Sequence, residues 1–300
     1  MANVIELITV TDSVLTGSNI AENDGPEWDA GTTYAAGDLV IQAATHSLYE
    51  SAVSGNTGND PSDGDVAFWL PLGSTNRWRA FDQKTGQQSS QAGDITFELT
   101  LPSICTGLAL FEMAALSVRV EIVSGGDTLY DETQDLVDST EIVNFFTYFT
   151  YAPEYKPDAV FEDLPGYAGS TVTITLDGGG GSSSVGEIGV GRLHRLGTSL
   201  SGAKGSRVDL SVVERNDYGN VTIIDRGYYK TLTLPFVVPV GGELNVERVL
   251  DRIGSKPCVL YPSADLINRI APVYGKANEG QRIYASAGVS EFEIEIESMV

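Results

Sequence analysis

Three segments of this chain alternate apolar and polar residues with a period of two, and this pattern most constrains the fold. They read ITFELTL at 95–101, SVRVEIV at 117–123 and TVTITL at 171–176. Successive side chains of a β-strand point to opposite faces, so the alternation predicts strands with one face in a core. Turn residues separate the segments, which predicts an antiparallel sandwich or jelly roll. With 33 glycines in 300 residues and few helical patterns, we expect an all-β protein of two or three domains.

The last hundred residues are also predicted to be mostly β. Residues 207–213 and 228–238 are strand candidates, and the end of the chain, SEFEIEIESM, alternates three apolar residues with four glutamates, as a half-solvated strand does. One short helix is expected here, beginning after Asn245 as N-cap and ending at Gly254. Its apolar residues follow the helical spacing i, i+3, i+4 and i+7: Val246, Val249, Leu250 and Ile253.

The segment 144–167 contains eight Phe or Tyr residues in twenty-four positions. As a strand it is aromatic on both faces: Phe145, Thr147, Phe149 and Tyr151 on one, and Phe146, Tyr148 and Thr150 on the other. Such a strand is buried on both faces, or one face meets another subunit. We favour a sandwich strand with a shared edge over a ligand-binding platform.

Four aromatic residues mark a small unit at residues 28–73, called the insert below: Trp28, Tyr34, Tyr49 and Trp69. About forty residues of short strands and turns cannot bury all of that aromatic surface, so some is expected to be exposed or shared. The spacing, with Tyr-x-x-Gly-Asp-x-Val at 34–40 and a final Trp, resembles the small chitin- and cellulose-binding modules of carbohydrate-binding families five and twelve. That resemblance implies sugar contacts for these four residues.

The insert departs from those families where their sugar-stacking aromatic pair belongs. Residues 52–55 here are Ala-Val-Ser-Gly. Two interpretations therefore remain: a sugar-binding module, or a spacer or docking unit whose aromatics form a miniature core.

Composition restricts the possible partners. The net charge of −23 argues against nucleic acid, which needs clustered Lys and Arg. The chain has no apolar stretch long enough to span a membrane and no signal peptide is recognisable, so we expect synthesis in a cytosol without membrane insertion. Cys105 and Cys258 are predicted to be buried free thiols. The acidic turn at 59–65 is interpreted as solvated, and neither a metal nor another cofactor is expected.

Motifs for catalysis are missing from the sequence. It lacks G-x-S-x-G, H-E-x-x-H and Cys-x-x-Cys, and it has two histidines. His46 is interpreted as a turn residue, and His194 has no recognisable carboxylate partner. We therefore expect a protein that is not an enzyme, with no catalytic residue. A polysaccharide-degrading enzyme with a binding module is the remote alternative, because acids distant in sequence can meet in space.

Most of the chain resembles a family of tail proteins from long-tailed bacteriophages and related prophages. The residues that carry the resemblance lie at 70–90, 99–122, 187–220 and 272–299, and its most specific part is Thr75–Asp82. In that family, an insert resembling a sugar-binding module is followed by a jelly roll that resembles galactose-binding folds. The resemblance implies a virion protein of the tail tip or baseplate, assembled in the host cytoplasm, that contacts other tail proteins and host surface polysaccharide.

These considerations predict four parts. They are an N-terminal arm or strand with a linker (1–27), the insert (28–73), a jelly-roll sandwich (74–200) and a mostly-β region (201–300). Arg77, Trp78 and Phe81 are predicted to anchor the insert to the sandwich, with Arg77 or Arg79 pairing an acid. Assembly around a tail axis implies a homo-oligomer, a trimer or a hexamer. The alternative is a pure assembly protein that never binds sugar.

Overall fold

The computed structural model describes residues 1–299 except 85, 139–141, 151–153, 216–217, 255, 263–270, 279–280 and 284–287. The described part is built almost entirely from short strands, which are, in chain order, β1 (Ala2–Leu7), β2 (Leu15–Ser18), β3 (Thr33–Tyr34), β4 (Leu39–Gln42), β5 (Ser47–Ser51), β6 (Asn56–Thr57), β7 (Trp69–Ser74), β8 (Ser89–Ala92), β9 (Ile95–Thr100), β10 (Cys105–Phe111), β11 (Ser117–Ser124), β12 (Asp127–Asp135), β13 (Val137–Asp138), β14 (Glu154–Tyr155), β15 (Ala159–Gly166), β16 (Thr171–Asp177), β17 (Ser182–Val185), β18 (Glu187–Ser199), β19 (Lys204–Asp209), β20 (Val212–Arg215), β21 (Val221–Ile224), β22 (Tyr228–Pro239), β23 (Pro257–Pro262), β24 (Val273–Ala277), β25 (Gln281–Ile283) and β26 (Val289–Ser298). The described helices are α1 (Phe145–Thr150) and α2 (Glu243–Ile253), with 3-10 turns at Pro61–Asp63 and Arg79–Phe81.

Two antiparallel sheets form the body of the protein. The smaller has the order β12-β11-β16-β9-β2, and the larger has the order β15-β10-β18-β1-β23-β24-β26-β22-β19, with β25 beside β26. Alternate residues of β9, β11 and β16 are fully buried and pack on β10, β15 and β18 of the larger sheet. This β-sandwich is the first core. The predicted fold class, all-β with a jelly-roll sandwich, is confirmed.

The rest of the larger sheet has a core on each face. On one face, Val246, Val249 and Ile253 of α2 pack on β22, β23 and β26, where Phe236 and Phe292 stack at 5.5 Å between ring centroids. The other face contains Ile5, Ala109, Phe111, Val259, Tyr261 and Tyr274. The rings of Phe111 and Tyr274 lie 5.6 Å apart, although three strands separate β10 from β24. β18 also pairs with β22, so the strands β18, β1, β23, β24, β26 and β22 close around the α2 core, and the face with Phe111 and Tyr274 lies outside this closed part.

Of the two alternatives for the N-terminal residues, the structure shows the strand and not the arm. β1 lies inside the larger sheet, where Val4 pairs with His194 of β18 and Leu260 of β23. Val4 faces the α2 core and Ile5 faces the core on the opposite side of the sheet, so the strand is buried on both sides. β2 extends the smaller sheet beside β9. The apolar run that suggested a docking arm is thus an inner strand of the chain's own fold.

The predicted C-terminal helix is present, with a different beginning. α2 begins at Glu243 with Gly242 as N-cap, and it ends at Ile253 with Gly254 as C-cap. The tight turn at Gly241, whose φ is +97°, starts the helix one turn before Asn245. The candidate strand 207–213 is divided between β19 and β20. The end of the chain forms β26, with Phe292, Ile294 and Ile296 buried as predicted.

The aromatic segment does not form the predicted strand. Phe145–Thr150 is a helix, α1, and none of its residues is buried. Asn144 caps it: its side-chain oxygen accepts from the Thr147 N–H at 2.9 Å, and Thr147 Oγ1 accepts from the Asn144 N–H at 3.0 Å. This reciprocal capping favours a helix over a strand. Tyr151 lies outside the described residues, and the buried sandwich strand begins only at Ala159.

Both cysteines are buried free thiols, as predicted. Burial raises the pKa of the Cys105 thiol to about 11 and that of Cys258 to about 12. Among the residues described, no helix is long and apolar enough to cross a membrane.

Candidate functional site

The insert is a miniature domain built around its own aromatic residues. Tyr34 is 6% exposed and Trp69 is 2% exposed, and their rings meet edge to face at 5.2 Å. Trp28 and Tyr49 are half-buried against this pair. The Trp69 indole N–H donates to the Asn59 carbonyl at 2.9 Å. Because Tyr34 and Trp69 are buried and their planes differ by 69°, they do not form a flat exposed surface for a sugar ring.

The Tyr-x-x-Gly-Asp motif has a local structural role in this core. Gly37 adopts a φ of +90°, which glycine adopts without strain. Asp38 Oδ2 accepts from the Ala35 N–H at 2.7 Å and closes the turn. The Tyr34 hydroxyl accepts from the Asp29 N–H at 2.8 Å. The motif therefore shapes the turn between β3 and β4.

His46 joins the insert to the sandwich. Its ring stacks on Trp78 with centroids 4.0 Å apart and planes 20° apart. One ring nitrogen, Nδ1, lies 3.0 Å from Glu22 Oε1, and the other, Nε2, lies 2.7 Å from Asp12 Oδ1. Its φ of +52° fits the predicted turn position. The two acids lie 24 and 34 residues away in sequence, so no local pattern reveals them.

Trp78 makes this contact, and Arg77 and Phe81, the other two residues predicted as junction anchors, lie close to it in the chain. Trp78 is buried in the sandwich core, and Phe81 packs edge to face on Phe97 at 5.1 Å. The Nε–H of Arg77 is buried without a hydrogen-bond partner in the described part of the chain. Arg79 pairs with Asp24 at 3.5 Å, as predicted for one of the two arginines.

His194 has a carboxylate partner, contrary to the sequence analysis. Its Nε2 lies 2.9 Å from Glu6 Oε2, and Arg252 Nε donates to the same oxygen at 3.1 Å. Burial lowers the pKa of His194, and Glu6 opposes that shift. Glu6 belongs to β1 and Arg252 to α2, so the cluster links the helix to the sheet.

Phe111 and Tyr274 of the larger sheet line a cavity of about 330 Å³. Its wall includes Asp158, Tyr228, Lys230 and Tyr274. Burial raises the pKa of Asp158, and Lys230 opposes that shift. No sequence signal indicated this group, because Asp158, Tyr228 and Tyr274 come from segments far apart in the chain. In the part of the chain described, no cluster of three or more His, Cys, Asp or Glu residues could hold a metal ion.

Glu187 is buried behind this cavity, at 3% exposure. Its Oε1 accepts a hydrogen bond from the Tyr274 hydroxyl at 3.2 Å. Burial, reinforced by the nearby Asp82, raises the pKa of Glu187 to about 9. Its carboxyl group therefore holds its proton at neutral pH.

Two apolar elements project from the body. The aromatic helix is α1, whose Phe145, Phe146, Tyr148 and Phe149 are 64–80% exposed. Phe149 contacts Phe145 and Tyr148 with ring centroids 4.8 and 5.4 Å apart, so the rings form one cluster.

The apolar hairpin consists of β20 and β21, paired with each other in a separate two-stranded sheet. Val213 pairs with Ile223, and Arg215 pairs with Val221. Because alternate residues share a face, these four side chains lie on the same side of the hairpin. Val213, Val221 and Ile223 are 50–68% exposed. An isolated two-stranded hairpin is marginally stable in water, so an exposed apolar face on one indicates an interaction surface.

Comparison with known proteins gives little information about these candidate sites. No family model matches the chain, and no curated protein matches it. A solved structure similar to part of the chain is the F5/8 type C domain of a protein from Bacteroides fragilis. The identity is 10% and the TM-score 0.26, with 38% of this chain and 78% of that chain covered. A likeness this weak says nothing about what the chain binds.

Proposed function

We propose that this chain is a structural, non-catalytic subunit of a bacteriophage tail tip or baseplate, assembled in the host cytoplasm and carried in the virion. The observation that carries the proposal is the pair of uncovered apolar elements, the aromatic helix and the apolar hairpin. Exposed apolar patches of this kind mark protein–protein contacts. The partners are further copies of the chain, as a trimer or hexamer, and other tail proteins.

The arrangement of the insert supports a building role. Tyr34 and Trp69 are used in its core, and His46 and Trp78 fix it to the sandwich. A small domain held in this way suits a spacer or docking unit. The resemblance of the junction Thr75–Asp82 to long-tailed phage tail proteins points in the same direction.

Electron microscopy tests the proposal. Antibodies against the chain, with gold labels, are applied to particles of the phage or prophage that encodes it. We expect gold at the distal end of the tail and nowhere on the head. Particles that carry no label, although their lysate contains the protein, would rule out a virion role.

Binding of host surface carbohydrate by the insert is a second candidate. It is favoured by Trp28 and Tyr49, because both rings are only half-buried and part of each remains within reach of a ligand. We expect Trp28→Ala to leave tail assembly unchanged, since this residue lies at the edge of the insert core. Binding to isolated host polysaccharide is measured in parallel, with Val66→Ala as a control at another exposed apolar residue of the insert. Polysaccharide binding that folded Trp28→Ala abolishes and Val66→Ala retains would establish the sugar-binding function.

A further inference from the structure

The rings of the aromatic helix remain largely exposed to solvent in a single copy of the chain. Its four rings have the spacing i, i+1, i+3 and i+4, so they share one broad face of the six-residue helix, and each is at least 64% exposed. Thr147 and Thr150 lie on the other side, and a helix with an apolar face of this kind ordinarily buries that face. Fully exposed aromatic side chains offer ~150–250 Å² each, so the four together leave about 400–700 Å² open. A standard interface buries about 800 Å² on each partner, so this helix supplies most of one side.

The apolar hairpin has a face whose chemistry suits that helix. Val213, Val221 and Ile223 present branched aliphatic groups, and Arg215 lies on the same face beside Val221. Aliphatic side chains pack on aromatic rings, and a guanidinium group is attracted to ring faces. The hairpin thus offers aliphatic side chains and a guanidinium group, and both can pack on uncharged aromatic rings.

Charge also favours contact between copies through these two elements. The chain carries a net charge of −23, so two copies repel each other over most of their surfaces. Residues 143–150 include no charged residue, and residues 211–226 include three acidic and two basic ones. The two segments together have a net charge of only −1, so little repulsion opposes their approach.

We propose that the aromatic helix of one copy packs on the apolar hairpin of the next copy. This inference rests on the proposed function and names the contact that builds its oligomer. The two surfaces differ, so the contact is head-to-tail and generates a ring when the rotation between copies closes. Phe146 and Phe149 contribute the ring surface, and Val213 and Ile223 contribute the hairpin surface.

A lipid membrane is the competing partner for an exposed aromatic helix. Helices that bind membrane surfaces combine an apolar face with Lys and Arg, which attract anionic lipids. The segment 143–150 has no basic residue, and the chain as a whole is strongly acidic. A second copy therefore fits the surface better than a bilayer does.

Mixing two variants of the full chain tests the head-to-tail contact. The helix variant carries Phe146→Ser and Phe149→Ser, and the hairpin variant carries Ile223→Glu. Each alone is expected to self-associate about 100-fold more weakly than the wild type, as when central interface residues are lost. The mixture retains one intact pair of surfaces, so it is expected to form one-to-one heterodimers and nothing larger. Sedimentation velocity and mass photometry measure both outcomes.

Matched controls are available at exposed apolar residues elsewhere on the chain. Leu244→Ser on α2 and Val240→Glu after β22 change side chains that are 65% and 63% exposed, and both are expected to assemble like the wild type. Circular dichroism and thermal unfolding confirm that every variant folds, and Ile223→Ser replaces Ile223→Glu if the latter does not.

Several results would overturn the proposal. A hairpin variant that still forms dimers alone would indicate helix-on-helix contact instead. A wild type that stays monomeric at its highest soluble concentration would exclude self-association, while gold on the tail tip would leave the virion role intact. Binding of the monomeric wild type to phosphatidylethanolamine–phosphatidylglycerol vesicles, lost in the helix variant, would assign the helix to lipid.

Discussion

Replacing Gly191 with alanine is expected to lower the free energy of unfolding by about 3 kcal/mol, which is typical of overpacking in a well-packed interior. Gly191 lies in β18, between β1 and β10 of the larger sheet. A Cβ atom at this position would lie 2.0 Å from the carbonyl oxygen of Glu6 and 2.8 Å from its carbonyl carbon. These are backbone atoms of an inner strand, so relief requires β1 to move. Urea unfolding followed by tryptophan fluorescence measures the change.

Gly205→Ala is the matched control for this prediction. Gly205 also lies in a strand, β19, but an added Cβ there would meet no heavy atom within 4 Å. We expect its free energy of unfolding to stay the same or rise by a few tenths of a kcal/mol, because alanine restricts the unfolded chain. Equal stability of the two variants would show that β1 is not held tightly between β18 and β23.

The strands with one buried face could be predicted from the sequence. β9, β11 and β16 coincide with the alternating segments at 95–101, 117–123 and 171–176, because their inner residues face a single core. The position of α2 was also predictable from the spacing of Val246, Val249 and Ile253. In both cases the pattern that places side chains in the core is local.

Elements whose surroundings come from distant residues were harder to predict. β1 is buried on both faces, so it has no alternation, and an apolar run near a terminus is equally compatible with an arm. The aromatic residues at 144–150 fit the spacing of a strand no better than that of a helix. The Asn144–Thr147 cap then favours the helix. His194 meets Glu6, which is 188 residues away.

The candidate site was only partly predictable for the same reason. The four aromatics of the insert were recognisable by their spacing, but spacing does not distinguish a core from an exposed platform. Of the apolar hairpin, only Val212 and Val213 fall within the strand expected at 207–213, and the break between β19 and β20 leaves little trace in the sequence. Glu187 was indistinguishable from the other acidic residues, because the groups around it, Asp82 and Tyr274 among them, come from other parts of the chain.

Glu187→Gln is expected to stabilise the protein at alkaline pH and to have little effect in acid. The ordinary pKa of this carboxyl is 4.5, and burial raises it to about 9 in the folded protein. Between these values the folded chain holds a proton that the unfolded chain has released, so stability falls as pH rises through the window. Each unit of pKa difference corresponds to about 1.4 kcal/mol. Glutamine is uncharged in the folded and in the unfolded chain. The stability of the Glu187→Gln variant therefore does not fall for this reason as pH rises.

Unfolding in urea at pH 4 and at pH 8 measures the effect of Glu187→Gln. At pH 4 the two proteins are expected to match, because the wild-type carboxyl is largely protonated whether folded or unfolded. At pH 8 the variant is expected to be more stable by about 2–4 kcal/mol, which allows for relaxation around the buried group. Glu214 is exposed, so Glu214→Gln is the control. It measures how the loss of one acidic group changes the stability of a chain with a net charge of −23. If Glu187→Gln and Glu214→Gln shift stability equally at both pH values, Glu187 ionises freely and its carboxyl is accessible to water.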